Sequence, residues 1–303
     1  MCFSHCLGSK SMKTIDVVNN GTDEKKLMGI YARDSDATLM IDDDVIVTEN
    51  GVPILVYIAS AGIDTAPFKK ILDNHKFKDF NRARRVGGFK SKSVSFGFKP
   101  RAPLRRQPCS LSGLSRTTNG VQEIIEQWTK VVTSNYERCL PEKVAEHLRI
   151  VDEVIRDYRL AGTVFTSGIV NQSSQLPYHF DSGNFEGAWS AMLGMKSGVD
   201  GGRLVIPKYG LSLGISDGSM TFFDGQNALH GVTPIMKTKT GGHRYTVVWY
   251  SIQQMWKCLT TEDELDSVNG MMDRGRKMRA GLIPESRKDG VRFKKPNDKP
   301  RKV

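Results

Sequence analysis

His179, Asp181, His230 and Arg244 are the residues of this chain whose types and spacing best support chemistry. They lie in Tyr178-His179-Phe180-Asp181, Asn227-Ala228-Leu229-His230-Gly231 and His243-Arg244-Tyr245. Two imidazoles and one carboxylate on one face of an iron atom leave three coordination positions open, as non-haem Fe(II) oxidation chemistry requires. An arginine beside such a centre offers a planar, permanently charged fork to a dicarboxylate. His179 and Asp181 are two apart, so on extended backbone both side chains leave the same face. His230 follows 51 residues later, enough for several short strands to return the chain to the same place. Arg244 comes 14 residues further on, heading the apolar run Tyr245-Thr-Val-Val-Trp-Tyr250, about the length of a turn plus a strand.

The elements that must position these residues read as short strands separated by turn signals. Strands are expected at Ala188–Met195, Gly202–Pro207, Leu211–Ile215, Met220–Phe223 and Arg244–Ile252. Ser197-Gly198, Asp200-Gly201-Gly202, Asp217-Gly218, Asp224-Gly225 and Thr240-Gly241-Gly242 break them, each rich in residues that tolerate turn geometry. That rhythm is the pattern of a sandwich or barrel. Upstream, Leu39–Thr48 and Val52–Ile58 read as a hairpin turned by Glu49-Asn50-Gly51. Two amphipathic helices are expected, Val121–Arg138 and Pro141–Leu160, the second with proline at its first turn. Such helices most simply buttress a sheet. Thr163–Asn171 then leads into the ligand strand.

Residues 160–260 resemble the double-stranded β-helix core of the 2-oxoglutarate/Fe(II) dioxygenases. Within that superfamily they are similar to the TET/JBP-like branch that oxidises nucleic-acid bases, and to its phage relatives. The stretches that carry the likeness are Tyr178-His-Phe-Asp-Ser-Gly-Asn184, Gly201-Gly-Arg-Leu-Val-Ile-Pro207, Phe223-Asp-Gly225, His230-Gly-Val-Thr-Pro234 and Arg244-Tyr-Thr-Val-Val-Trp-Tyr250. The ligand set is specific for the superfamily, whereas the branch rests on flanking residues. The resemblance implies a mainly β fold with flanking helices and a jelly-roll, cupin-like core. It implies that His179, Asp181 and His230 bind Fe(II), and that Arg244 pairs with the far carboxylate of 2-oxoglutarate. With O2 as oxidant, the co-substrate ends as succinate and CO2 while a substrate C–H bond is hydroxylated. Asn184 and Ser182, just past the ligands, are either donors facing the ligands or substrate, or turn caps.

The substrate must be read from elsewhere in the chain. Net charge is +11, and it is concentrated. Arg82, Arg84, Arg85, Lys90, Lys92, Lys99, Arg101, Arg105 and Arg106 follow one another with no Asp or Glu between. From Arg274 to Val303 twelve Lys or Arg stand against three acids, so the remaining sequence is net negative. Concentrated positive charge suits a phosphate backbone, although a basic tail is equally a solvated one. In the first stretch Phe89, Phe96 and Phe98 interleave with the cations, a mixture suited to lying along DNA and stacking a base. A base cannot reach iron inside a barrel while stacked, so the partner is duplex DNA with a flipped nucleotide, or a single strand. Tyr178, Phe180, Phe185 and Trp189 are candidates for the sleeve around that base, and equally candidates for core. The chemically sensible target is the 5-methyl group of thymine or 5-methylcytosine. A protein (prolyl-type) hydroxylase and a non-catalytic DNA-binding protein are the competing readings. The first leaves the basic stretch without a purpose; retention of all four key residues argues against the second.

At 303 residues and 39% hydrophobic the chain can bury a large core. Residues 1–30 are expected to be disordered, 31–273 to form one dioxygenase domain, and 274–303 a basic tail. Within that domain, 31–160 carry the hairpin, basic segment and buttress helices, and 161–260 the core. No stretch is apolar enough to span a bilayer, and no signal-peptide pattern opens the chain, so no membrane partner is expected. Five scattered cysteines favour a reducing, cytoplasmic setting without a disulfide framework, and Cys2, His5 and Cys6 make a poor metal site at a floppy terminus. No P-loop, dinucleotide fingerprint or paired-carboxylate motif competes with the iron site.

Overall fold

The computed structural model describes residues 12–77, 79–81, 90–102 and 107–280. In chain order these form β1 (Lys13–Val17), α1 (Glu24–Leu27), β2 (Leu39–Ile41), β3 (Val45–Glu49), β4 (Val52–Ile58), α2 (Ala66–Asn74), β5 (Asp79–Asn81) and β6 (Lys90–Lys99). There follow β7 (Ser110–Leu111), α3 (Gly113–Thr117), α4 (Val121–Cys139), α5 (Pro141–Ile150), β8 (Ser167–Gln172), β9 (Ser190–Ser197) and β10 (Val199–Gly201). The last are β11 (Leu204–Ile206), β12 (Leu211–Leu213), β13 (Met220–Phe223), β14 (Gly231–Val232), β15 (Ile235–Lys237), β16 (His243–Tyr250) and α6 (Thr261–Arg279).

Among the described residues the strands make a ten-stranded sheet in the order β1-β3-β4-β13-β9-β16-β8-β6-β5, with β7 beside β6. A four-stranded sheet, β14-β11-β12-β2, faces it, and β10 pairs with β15. The two facing sheets are the halves of a double-stranded β-helix. Strand β16 shows why its sequence can serve both sides of the large sheet. Tyr245, Val247 and Trp249 alternate into the core beneath the helices, while Arg244, Thr246, Val248 and Tyr250 turn into the cavity between the sheets. Helix α4 covers the outer face with the buried stripe Val121, Ile125, Trp128, Val132 and Tyr136. Tyr136 stacks on Phe222 at 4.9 Å, and the Trp249 indole N–H donates to Thr129 Oγ1 at 2.9 Å.

Several sequence expectations change. The arm Leu39–Thr48 divides at Asp42-Asp43-Asp44, with β2 running parallel to β12 in the small sheet and β3 pairing β4 in the large one. Asp42 is drawn to Arg203 and Asp44 accepts the Ala59 N–H, so the acidic break is used on both sides. The turn itself is as expected, with Asn50 and Gly51 both at positive φ. Lys13–Val17, expected to be disordered, is a strand parallel to β3, pinned where Asp16 accepts from Thr48 Oγ1 and the Gly51 N–H. The second buttress helix stops at Ile150 instead of Leu160. Arg159 folds back to donate to the carbonyls of Val151, Asp152 and Val154, satisfying groups a longer helix would have paired. Helix α2 was not anticipated, although Phe68, Ile71 and Leu72 fall at helical spacing behind Pro67 and put Phe68 and Leu72 in the core.

Cys109 and Cys258 are joined in a disulfide, contrary to the expectation of none. Partners 149 residues apart leave no spacing signal, and the argument for a reducing compartment loses its premise. Beside this bridge, buried Glu264 of α6 accepts from Arg101, from the Cys109 N–H and from the Leu259 N–H. Residues 274–279 of the basic tail therefore continue a docked helix. Among the described residues no helix is long and apolar enough to cross a membrane.

Candidate active site

His179 and His230 meet across an isolated antiparallel bridge between the segment leaving β8 and the segment entering β14. The His179 N–H donates to the His230 carbonyl at 2.9 Å and the return bond is 3.1 Å. The Asp181 N–H donates to the Gly225 carbonyl at 2.8 Å. Backbone pairing thus brings together residues that lie 51 positions apart in sequence, and their ligand atoms fall within 4.8 Å of one another. The Nδ1–H of His179 points at the Pro177 carbonyl (2.8 Å) and that of His230 at the Ala228 carbonyl (2.9 Å). With Nδ1 as the donor in each ring, both Nε2 lone pairs are left for a metal. His179 Nε2 lies 3.9 Å from Asp181 Oδ1, and the imidazole centroids are 4.3 Å apart.

Gly225 makes room for the carboxylate. A Cβ built at this position would sit 2.4 Å from Asp181 Oδ2 and 3.5 Å from His230 Cε1. Any side chain there would push the acid away from the two imidazoles. Two imidazoles, a carboxylate and space between them fit a divalent iron with open positions.

The same residues open onto a cavity of about 240 Å³ between the two sheets. Strand β8 contributes Ile169 and Asn171, β9 Ser190 and Met192, β16 Arg244, Thr246 and Val248, and the small sheet Leu204 and Val232. Arg244 is only 1% exposed. Its Nε–H donates to the Gly202 carbonyl at 2.9 Å, and burial lowers its pKa to about 10, so it remains a cation at neutral pH. No carboxylate among the described residues pairs with it. A buried, uncompensated guanidinium is costly, which marks this end of the cavity as an anion site. Gly202, at φ +67°, lets the arginine pass, since a Cβ there would come within 2.6 Å of its Nε.

The other sequence candidates divide. Asn184 is buried, lines the cavity and donates through Nδ2 to Ser190 Oγ at 3.3 Å, so its amide faces the site instead of capping a turn. Ser182 lines the mouth. The proposed sleeve is corrected, because Tyr178, Phe180, Phe185 and Trp189 are absent from the cavity wall. Tyr178 lies behind the metal segment and donates to Asp36 at 2.9 Å, Phe180 packs in the same small cluster, and Phe185 and Trp189 belong to the core under α4. Alternation puts residue 178 on the opposite face from His179. Asn171, Ser174, Ser190 and Thr246 were missed as lining residues; only the period-two alternation from Arg244 to Thr246 could have signalled any of them.

The basic stretch divides too. Lys92 is exposed on β6, and its backbone N–H donates at 3.1 Å to Ser174 Oγ, a side chain of the cavity wall. Phe96 does not stack bases; it is fully buried against Trp249, with ring centroids 5.5 Å apart. Phe98 packs on Tyr158 and Arg101 is engaged by Glu264. Arg82, Arg84, Arg85, Phe89, Arg105, Arg106 and the side chain of Lys90 lie outside the described residues.

A double-stranded β-helix with a two-histidine, one-carboxylate cluster and a buried arginine at one end of its cavity defines the class of 2-oxoglutarate-dependent non-haem iron oxygenases. Residues 100–253 match the Tet_JBP family, described as the oxygenase domain of the 2OGFeDO superfamily, and the chain belongs to that family. It is therefore an Fe(II)- and 2-oxoglutarate-dependent dioxygenase that consumes O2. The solved structure of NgTET1 in complex with 5mC DNA shares the fold, with a TM-score of 0.58 and 14% identity over 85% of this chain and 90% of that one. More distant likenesses are OsALKBH1 (TM-score 0.41, 13% identity, 66% and 97% covered) and a 2OG-Fe(II) oxygenase from Burkholderia pseudomallei (0.38, 11%, 66% and 88%). No curated protein sequence gives a match.

Proposed function

We propose that this dioxygenase hydroxylates the 5-methyl group of a pyrimidine in DNA, either thymine or 5-methylcytosine. His179, Asp181 and His230 hold Fe(II), and Arg244 holds the far carboxylate of 2-oxoglutarate. The iron, the co-substrate and O2 supply the oxidising power, so that one oxygen enters succinate, CO2 leaves, and the second oxygen converts a C–CH3 to C–CH2OH. The chain's own residues bind and orient. The Pro177 and Ala228 carbonyls keep both imidazoles in the ligating tautomer, Gly225 gives Asp181 its place, and Arg244 fixes the far end of the co-substrate. Ile169, Met192 and Val248 line the cavity and limit water around the reacting carbon.

The observation that carries DNA as the substrate is the position of β6. This strand is the middle of the acid-free basic stretch, it pairs with β8, and its Lys92 backbone is bonded to Ser174 of the cavity wall. In sequence both ends of β6 lead into arginine pairs, Arg84-Arg85 and Arg105-Arg106. Phosphate-binding charge beside a cavity that holds an oxidant suits an enzyme that draws a base out of its stack. The similarity of NgTET1, solved with 5mC DNA, agrees with this reading. The test is DNA-stimulated turnover. Succinate release by the Fe(II)-loaded protein should rise with oligonucleotides containing thymine or 5-methylcytosine and stay at the uncoupled level with matched strands of cytosine and uracil. Equal stimulation by both sets would sink the 5-methyl assignment.

A further inference from the structure

Lys196 stands directly opposite Arg244 in the antiparallel register of β9 and β16. Residues so paired project from the same face with Cβ atoms about 5 Å apart, and like charges placed this way destabilise the pair. On β9 that face is the cavity face, since Ser190 and Met192 line the cavity and Lys196 continues their row. The two cations are also anchored alike. Lys196 Nζ donates to the Gly201 carbonyl at 2.8 Å, and Arg244 Nε to the next carbonyl, Gly202, at 2.9 Å. Asp200 is close enough to attract the ammonium but is exposed, and among the described residues no carboxylate forms an ion pair with either cation. Burial, and after it the charge of Arg244, lowers the Lys196 pKa, as expected for a cation held near another without an anion between them.

We infer that Lys196 is a positioning residue for the co-substrate. It provides a second positive charge behind Arg244 and holds the Gly201-Gly202 corner, so that this end of the cavity is tuned to a dicarboxylate and not simply to a 2-oxo acid. Lys196 does not line the cavity, so it acts through the field at Arg244 and the placement of the loop. The far carboxylate relieves the repulsion between the two cations, and this coupling is lost when either the carboxylate or the lysine is removed. The inference rests on the reading that Arg244 binds that carboxylate.

The experiment is a binding cycle on the full-length, Fe(II)-loaded protein without oxygen, followed by titration calorimetry. The ligands are 2-oxoglutarate and 2-oxopentanoate, which differ by the far carboxylate. Lys196→Met should weaken 2-oxoglutarate roughly five- to tenfold and leave 2-oxopentanoate unchanged, while Lys196→Arg restores 2-oxoglutarate binding. Unchanged 2-oxopentanoate binding also shows that the variant is folded, and Lys196→Gln gives a second test of the same loss. Arg244→Met should abolish the preference between the two acids. If Lys196→Met weakens both ligands alike, or neither, while Arg244→Met still abolishes the preference, the inference about Lys196 is overturned. If Arg244→Met leaves the preference intact, the assignment of Arg244 itself fails and the inference falls with it.

Discussion

At the scale of single residues, the site depends as much on what is missing as on what is present. Asp181 can point at the imidazoles because residue 225 has no side chain, and Arg244 can cross the loop because residue 202 has none. Gly225→Ala is therefore expected to displace the carboxylate and weaken divalent-metal binding by roughly 10- to 100-fold, the range typical of disturbed support around a metal site. Titration with Mn(II) in place of Fe(II) measures this without turnover, and unchanged affinity would refute the role given to Gly225. His179, Asp181, His230 and Arg244 were legible in the sequence because their residue types are rare and their spacing restrictive. Gly225 was legible only as a turn signal, and Lys196 not at all. Its importance comes from a cross-strand register, and one step of slippage would put it on the other face of the sheet.

At the scale of elements, β16 and the helices behind it hold the cavity strands in place. His147 of α5 is buried there, with Nε2 bonded to Ser251 Oγ at 2.9 Å just past the end of β16. Burial, followed by the charge of Lys143, lowers its pKa to about 3, from about 6.5 in an unfolded chain. Between those two values the unfolded chain binds a proton that the folded one refuses. Stability should accordingly fall as pH drops below about 6.5, by up to about 1.4 kcal/mol per pH unit from this group, and be indifferent to it above. Urea unfolding at several pH values should show a shallower acid dependence for His147→Gln than for the parent; parallel curves would refute this. Strands β9, β13 and β16 were readable because Gly- and Asp-rich turns bound alternating residues. The division of β2 from β3, the early stop of α5 and the strand β1 were not readable. Each is decided by a distant partner: β12, the returning Arg159 and β3, respectively.

At the scale of the whole molecule, charge and topology separate two tasks. The large sheet carries Arg244 on one strand and the basic stretch two strands away, with β8 between them. The Arg101–Glu264 pair fastens the far end of that stretch to α6, and the Cys109–Cys258 disulfide ties the chain just beyond it to the segment entering that helix, joining residues more than 100 positions apart. None of this could be read from composition, which showed only that the charge was concentrated. If Arg84 and Arg85 contact phosphates, replacing both with Gln should lower the salt dependence of DNA binding by roughly two charges' worth of slope on a log–log plot. Fluorescence anisotropy across a salt series gives that slope, and an unchanged value would remove these two residues from the DNA interface.

The central claim joins the metal cluster to a base in DNA, and one measurement addresses both halves. Purified protein is incubated with Fe(II), 2-oxoglutarate, air and DNA containing thymine and 5-methylcytosine, and the digested nucleosides are analysed by mass spectrometry beside Asp181→Ala. The expected result is a 5-hydroxymethyl nucleoside formed with succinate by the parent and absent with the variant. Succinate without any modified nucleoside, or a modified nucleoside still formed by Asp181→Ala, would contradict it.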